Sequence, residues 1–251
     1  KNKNLLISKY GIDHESLYLP YNNLGLIYGE LSLYDKAFEF YGKAISVLEK
    51  SSNDKNLNYA LVFNNLGLLH IDMAEYNKAE QYLTKSLRIY EKFLGNKNPD
   101  LTIPLNNLGL LYINQNRLEL AKKYFKRALT IMDHVFDFNH PNKIILLSNI
   151  GMIDYKLRNI DAAEVSFKRA IDITKNVFGD THSHFLLLLN NLGLLYANSF
   201  RGNEAIKMLE RALSVSRTNF GESHVSNIMI LNNMGYLNGK IGNYSKAEKY
   251  Y

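Results

Sequence analysis

Hydrophobic positions recur along this chain in two alternating helical rhythms. Around residues 17–31, Tyr21, Leu24, Gly25 and Tyr28 fall at i, i+3, i+4 and i+7, one face of a helix. Across residues 34–50, Ala37, Tyr41, Ala44, Ile45 and Leu48 supply the face of a second helix. A short polar stretch such as Ala74-Glu75 or Arg158-Asn159 separates the two, and connections that short make antiparallel neighbours. The whole pattern then returns every 42 residues. Asn22–Tyr28 reappears as Asn64–His70, Asn106–Tyr112, Ser148–Asp154, Asn190–Tyr196 and Asn232–Asn238. A fixed period of this length predicts stacked supersecondary units, each sharing its core with its neighbours. The expectation is an all-α fold, an α-solenoid of antiparallel helix pairs forming one continuous array. Its units run 12–53, 54–95, 96–137, 138–179, 180–221 and a truncated 222–251. Residues 1–11 read as the end of a preceding repeat helix, because Leu5, Leu6, Ile7 and Gly11 align with the close of a second helix. Both ends thus stop inside the pattern, which implies a longer parent chain.

Several columns are fixed for stated reasons. Gly25, Gly67, Gly109, Gly151, Gly193 and Gly235 sit mid-helix, where glycine costs about 1 kcal/mol relative to alanine. Close helix packing must offset that cost. The small residues of the second helix, Ala37 and its counterparts together with the Ala44 column, are the expected partners, small facing small. Gly95, Gly179 and Gly221 share a column with Asn53 and Asp137, a position suited to a left-handed helix terminus. Pro99 and Pro141 suit the first turn of the following helix. Pro20 and Pro104 lie deeper and predict a late helix start or a small kink, since each removes a donor.

These columns resemble tetratricopeptide repeats, specifically the long form typified by kinesin light chains. The resemblance is carried by Asn106-Asn107-Leu108-Gly109-Leu110-Leu111-Tyr112, by Ala121–Leu129, by Phe178-Gly179 and by His140-Pro141, and it covers essentially residues 1–251. It implies a right-handed superhelix whose inner concave surface is built mainly from first helices. It also implies that the second asparagine of each pair contacts bound peptides. Departures from the pattern include His70, Asp154 and Asn238 in the Tyr28 column, and repeat four, with Ser148, Ile150, Met152 and Asp154, diverges most.

A helical wheel sets one side of the first helix apart. It carries position 19 (Leu19, Leu61, Ile103, Ile145, Leu187, Met229), position 26 (Leu26, Leu68, Leu110, Met152, Leu194, Tyr236) and position 30 (Glu30, Asp72, Asn114, Lys156, Asn198, Lys240). Position 23 is invariant: Asn23, Asn65, Asn107, Asn149, Asn191 and Asn233. An apolar side turned away from its own pair needs a reason. One reading packs it against the next first helix. The other makes it a groove in which the asparagines meet a peptide backbone while Leu68, Leu110, Met152 and Leu194 take its side chains. Position 30, at Asp72, Asn114, Lys156 and Asn198, would lend the groove a polarity, or it is an exposed column that has drifted. The first-asparagine column reads as structural, and for the second, structural amide bonding between helices is the alternative to peptide contact. The Lys43, Lys85, Arg127, Arg169 and Arg211 column reads as a solvated face pairing with nearby carboxylates.

Composition narrows the function further. The 251 residues are 46% hydrophobic and carry a formal charge of +6, with the cations dispersed along helices rather than gathered in a stripe. Nucleic acid is therefore not the expected partner. No apolar run approaches the ~20 residues of a membrane span. Cysteine is absent, which excludes a disulfide scaffold and a thiolate metal site, and a cytoplasmic location is the expectation. His14, His140, His182 and His224 share a loop column and read as turn residues, not ligands. No metal, cofactor, phosphate loop or nucleophile–base set stands out, so no enzyme is expected. The expected function is a protein-interaction scaffold binding a peptide or protein segment in the groove. An architectural subunit using the solenoid edges, or a regulatory sensor array joined to an effector domain, are the alternatives.

Overall fold

The computed structural model describes residues 14–50 and 57–251, and every regular element among them is helical. The predicted helix tail at Leu5, Leu6, Ile7 and Gly11, and the Asn53 turn position, lie outside the described residues. The chain divides into two compact units, 1–131 and 132–251. In the first unit, α1 (Tyr18–Glu30) pairs with α2 (Tyr34–Lys50), α3 (Asn58–Asp72) with α4 (Tyr76–Leu94), and α5 (Thr102–Asn114) with α6 (Leu118–Val135). The last turn of α6 belongs to the second unit. There α7 (Asn142–Lys156) pairs with α8 (Ile160–Phe178), α9 (Ser183–Ala197) with α10 (Gly202–Phe220), and α11 (Val225–Lys240) with α12 (Tyr244–Tyr250). The all-α fold of helix pairs is as the periodicity predicts.

The two helix types differ because their neighbours differ. A first helix has its pair on one side and other first helices beside it, so it is apolar nearly all round. In α3, Ala60, Val62, Phe63, Leu66, Leu69 and His70 are all buried. A second helix buries a single stripe, which in α4 is Ala79, Leu83, Ser86, Leu87 and Tyr90.

The nearest neighbour of each mid-helix glycine is a bulky side chain of the facing segment, not a small residue, and that expectation is corrected; only Gly67 also approaches a small-column residue, the Ala79 carbonyl at 3.4 Å. A Cβ on Gly25 would stand 2.7 Å from the Tyr41 ring, on Gly109 2.6 Å from Phe125, and on Gly151 2.7 Å from Phe167. Leu83 lies 2.5 Å from the corresponding point on Gly67, Leu209 2.8 Å from that on Gly193, and Tyr251 2.9 Å from that on Gly235. Small therefore faces large: the missing Cβ makes a notch, and a bulky side chain of the second helix fills it.

Each pair closes on the same turn. The residue at position 32 and its counterparts lies in the left-handed region whatever its identity: Ser32, Ala74, Asn116, Arg158 and Phe200 have φ between +56° and +64°, and Gly242 has +83°. The following N–H reaches back six residues inclusively, from Leu33 to the Tyr28 carbonyl, Glu75 to His70, Arg117 to Tyr112 and Asn159 to Asp154, each at 2.8 Å. This is the Schellman closure, which satisfies the last carbonyls of the first helix. For a non-glycine residue the left-handed conformation costs roughly 1–2 kcal/mol, so tertiary packing holds five of these six turns against local preference.

Second helices end by two devices. Gly95, Gly179 and Gly221 take positive φ, as expected of their column. Asp137 does not, and there the buried Lys143 substitutes. Its Nζ donates to the Phe136 carbonyl at 3.2 Å and the Asp137 carbonyl at 2.7 Å, and pairs with Asp133 at 2.9 Å. Asn227, two repeats on, donates in the same way to the carbonyls of Gly221 and Glu222, both at 2.9 Å. The deep prolines delay their helices as expected. A 3-10 turn, Glu15–Leu17 or Pro99–Leu101, precedes α1 and α5, whose Pro20 and Pro104 can then sit in the first helical turn.

Two substitutions test this account. Gly109→Ala is expected to destabilise by about 1–3 kcal/mol through overpacking against Phe125. In a Phe125→Ala background the same change is expected to be neutral or stabilising, a coupling that urea denaturation of the double-mutant cycle measures. Phe200→Gly is expected to stabilise by about 0.5–1 kcal/mol in the same assay, by relieving the left-handed strain.

Candidate functional site: the open face of the first helices

The paired asparagines form a ladder between neighbouring first helices. Asn65 Nδ2 donates to Asn22 Oδ1 at 3.0 Å, and Asn107 Nδ2 to Asn64 Oδ1 at 2.8 Å. Within each pair of the first unit the first amide donates to the second, Asn64 to Asn65 at 3.3 Å and Asn106 to Asn107 at 3.2 Å. In the second unit Asn233 donates to Asn190 at 2.8 Å. Asn65 and Asn107 are consequently buried, at 9% and 8% exposure, while Asn23 is exposed and Asn149, Asn191 and Asn233 are half-buried. The second-asparagine column thus lies between helices as well as along the open face. A carboxamide has two N–H groups and two lone-pair directions, so the ladder leaves each amide partly unspent.

Ser148 breaks the ladder. It stands where the other repeats have the first asparagine, and neither it nor Asn149 nor Asn191 makes a side-chain hydrogen bond among the described residues. Beside it, between α7 and α9, opens a cavity of about 150 Å³.

Along the ladder run the two apolar columns. Leu19, Ile103, Ile145, Leu187 and Met229 are 39–51% exposed, and Leu26 and Tyr236 are 39% and 43%. Leu68, Leu110, Met152 and Leu194 are half-buried by their neighbours. The position-30 column is exposed at Glu30, Asp72, Asn114, Lys156 and Lys240. In the first unit it is acidic. Partial burial pushes the Asp72 carboxyl above its ordinary range, and burial, with Glu30 and Asp72 adding negative charge, pushes the Tyr41 phenol upward. In the second unit Asn198 is half-buried and central to a polar cluster. It donates to Tyr155 Oη at 2.7 Å and accepts from Tyr236 Oη at 2.8 Å and Lys240 Nζ at 3.1 Å.

The back of the repeats is tied by ions. Arg127 pairs with Glu91 and Arg169 with Asp133, each at 2.6 Å, so these cations of the basic column reach the preceding second helix. Burial alone would raise the Asp133 carboxyl, but hydrogen bonds from Arg169 and Lys143 hold it below its ordinary range. Glu164 shows the same contest. Burial acts upward, yet Lys168, Arg201 and Tyr196 bring it down to about 2. Tyr112 and Glu80 repeat the Tyr196–Glu164 bond at the same 2.8 Å. The departures at Asp154 and Asn238 are buried and satisfied, Asp154 by Asn159 at 3.2 Å and Asn238 by the Met234 carbonyl at 2.8 Å. The loop histidines cap helices. Nδ1 of His14, His182 and His224 accepts the N–H two residues on, at 3.2–3.3 Å, as Asn98 Oδ1 does at 2.8 Å.

Sequence reasoning held amide bonding between helices only as the alternative for the second-asparagine column, and it missed the Lys143 cap. The invariant second-asparagine column and the nearly invariant first one signalled the ladder, whereas a lysine in a column otherwise holding Leu17, Tyr59, Leu101, Phe185 and Asn227 was the available signal for the cap. Among the described residues no group of His, Asp or Glu could hold a metal ion, and no helix is long and apolar enough to cross a membrane.

The tetratricopeptide repeat family profile matches residues 16–92, 100–176 and 185–251. The chain belongs to the tetratricopeptide repeat family, whose members are in general non-catalytic protein-interaction scaffolds. No curated protein matches the sequence. Among solved structures, BtubC (BKLC) from P. vanneervenii is 21% identical over 94% of this chain and 87% of its own, with a TM-score of 0.68. A kinesin light chain-like protein of Podosopora anserina with nearly identical TPR-like repeats is 14% identical over 75% and 89%, with a TM-score of 0.67. The apo form of RapI is 15% identical over 93% and 94%, with a TM-score of 0.69. At such identities the likeness is one of fold.

Asn107→Ala is expected to cost about 1–3 kcal/mol in chemical denaturation, because Asn64 Oδ1 loses its donor inside the protein. Asn191→Ala, which breaks no such bond, is expected to stay within about 0.5 kcal/mol. Because the Glu164 carboxyl is depressed from 4.5 to about 2 in the folded state, its contribution to stability is complete above pH 4.5 and lost as pH falls towards 2. Acid titration of Glu164→Gln is therefore expected to show a shallower loss across that window.

Proposed function

We propose that the chain is a non-catalytic scaffold that binds a peptide or protein segment on the open face of its first helices. The observation that carries this reading is the position-19 column. Five large apolar residues, Leu19, Ile103, Ile145, Leu187 and Met229, stay 39–51% exposed beside the amides of the ladder. Apolar side chains give a bound segment its burial and the unspent amide groups meet its backbone, whatever its sequence. Asn23, Asn149 and Asn191, which are not donors in the ladder between helices, are the amides freest to do so. Asn65, Asn107 and Asn233 contribute through their second N–H. Leu68, Leu110, Met152 and Leu194 line the floor. At position 30, Asp72 lends the face of the first unit a negative charge and Lys156 lends that of the second a positive one, with Asn114 and Asn198 neutral, so each unit's face selects its own charge on what it binds. The family likeness supports the coarse reading, and the cysteine-free composition fits a cytoplasmic protein.

The scaffold reading is checked by selecting displayed peptides against the chain and measuring their affinity for surface variants. Ile103→Lys and Leu187→Lys are expected to weaken selected peptides at least tenfold with helicity unchanged. Charge reversal on the outer helix, Lys85→Glu or Arg88→Glu, is expected to leave them bound. The opposite pattern would sink the reading.

A further inference from the structure

We propose that the break in the asparagine ladder at Ser148 is a pocket for a single tyrosine side chain of the bound segment. The inference deepens the scaffold reading and rests on it. Elsewhere in this unit an amide fills the space between first helices, where Asn233 donates to Asn190 at 2.8 Å. Between α7 and α9 the serine is too short to do so, and beside it opens a cavity of about 150 Å³. That volume is about the size of an apolar cavity that accepts benzene. Its walls are Ile144 and Leu188, buried to 2% and 1% exposure, and its rim is Ile145 and Leu187, 51% and 43% exposed. An aromatic ring can therefore enter from the open face and bury itself between aliphatic walls.

The cavity is not purely apolar, and its polar groups narrow the choice of ring. Ser148, Asn149 and His184 also line it. None of the three side chains makes a hydrogen bond among the described residues. His184 is held to its backbone neighbour His182 only through its main-chain N–H, at 3.2 Å, and its ring meets His182 edge-on at 5.1 Å. Burial, with the neighbouring His182, pushes the His184 imidazole below its ordinary range, so the ring is neutral at pH 7 and offers a lone pair. A hydroxyl, an amide and a neutral imidazole can together donate to and accept from a phenol. A phenylalanine would leave them unanswered, a mismatch that sites built for a hydroxyl penalise heavily. A charged side chain would lose its hydration to a small cavity with no counter-ion among its lining residues.

The test uses N-acetyl-tyrosinamide as probe, followed by methyl NMR of the whole chain. The expected result is saturable shifts of the Ile144, Ile145, Leu187 and Leu188 methyls, with affinity of about millimolar for so small a ligand. N-acetyl-phenylalaninamide is expected to bind at least fivefold more weakly. Ser148→Asn restores the ladder residue of the other repeats, so it is expected to fold at least as stably while losing probe binding tenfold or more. His184→Leu is expected to bind the two probes equally. Absence of saturable shifts, or shifts that persist unchanged in Ser148→Asn, would overturn the pocket. If displayed peptides still bind the face through Leu187 while the tyrosine probe does not, the pocket alone fails. If the probe binds and no peptide is ever selected, it is the scaffold reading that fails.

Discussion

The seating of one bulky side chain in a glycine notch, six times over, is the contact on which the helix pairs depend. Tyr41, Leu83, Phe125, Phe167, Leu209 and Tyr251 each occupy the place a Cβ would take on the facing glycine. The notch lets the two helix axes approach closely, because the first helix presents no side chain where the bulky residue enters. Mid-helix glycine costs about 1 kcal/mol by propensity. Burial of a leucine or aromatic side chain contributes about 1.5–3 kcal/mol, enough to offset it. Ring, aliphatic and phenolic side chains all serve, so the notch demands bulk rather than identity.

With the pairs fixed, the remaining features follow as consequences of stacking. The left-handed turn must be made at one place whatever residue is there, and even Phe200 is held at φ +59°. Second helices must stop where the next unit begins. Glycine achieves this in three repeats, and Lys143 achieves it from the following helix where Asp137 stands instead. The amide ladder satisfies polar groups between apolar first helices. It also rigidifies the wall that the proposed ligand face needs, since an unpaired buried amide would cost more than the bond contributes.

The same ladder constrains how the face can act. A side chain committed between helices positions the surface more than it reads a ligand, so in the proposed scaffold recognition falls to residues where copies differ. Those are Ser148 with its cavity, the Asp72 and Lys156 column, and the cluster joining Tyr155, Asn198, Tyr236 and Lys240. Repetition supplies the platform, and its interruptions supply the distinctions.

Much of this was legible in the chain itself. The period, the two helix faces, the glycine termini at Gly95, Gly179 and Gly221 and the delayed starts before Pro20 and Pro104 all follow from local spacing, as does the existence of the apolar columns, though not whether they stay open. A helix face or a missing donor is a property of a few consecutive residues. The partner of each glycine, the bonding of Asn107 to Asn64, the burial of Lys143 and the cavity beside Ser148 did not follow. Each joins residues on different helices, and a period fixes only which positions are equivalent, not which of them touch. That was decided by tertiary packing, because distances between side chains on neighbouring helices depend on how closely the axes approach. The glycine notch sets that approach.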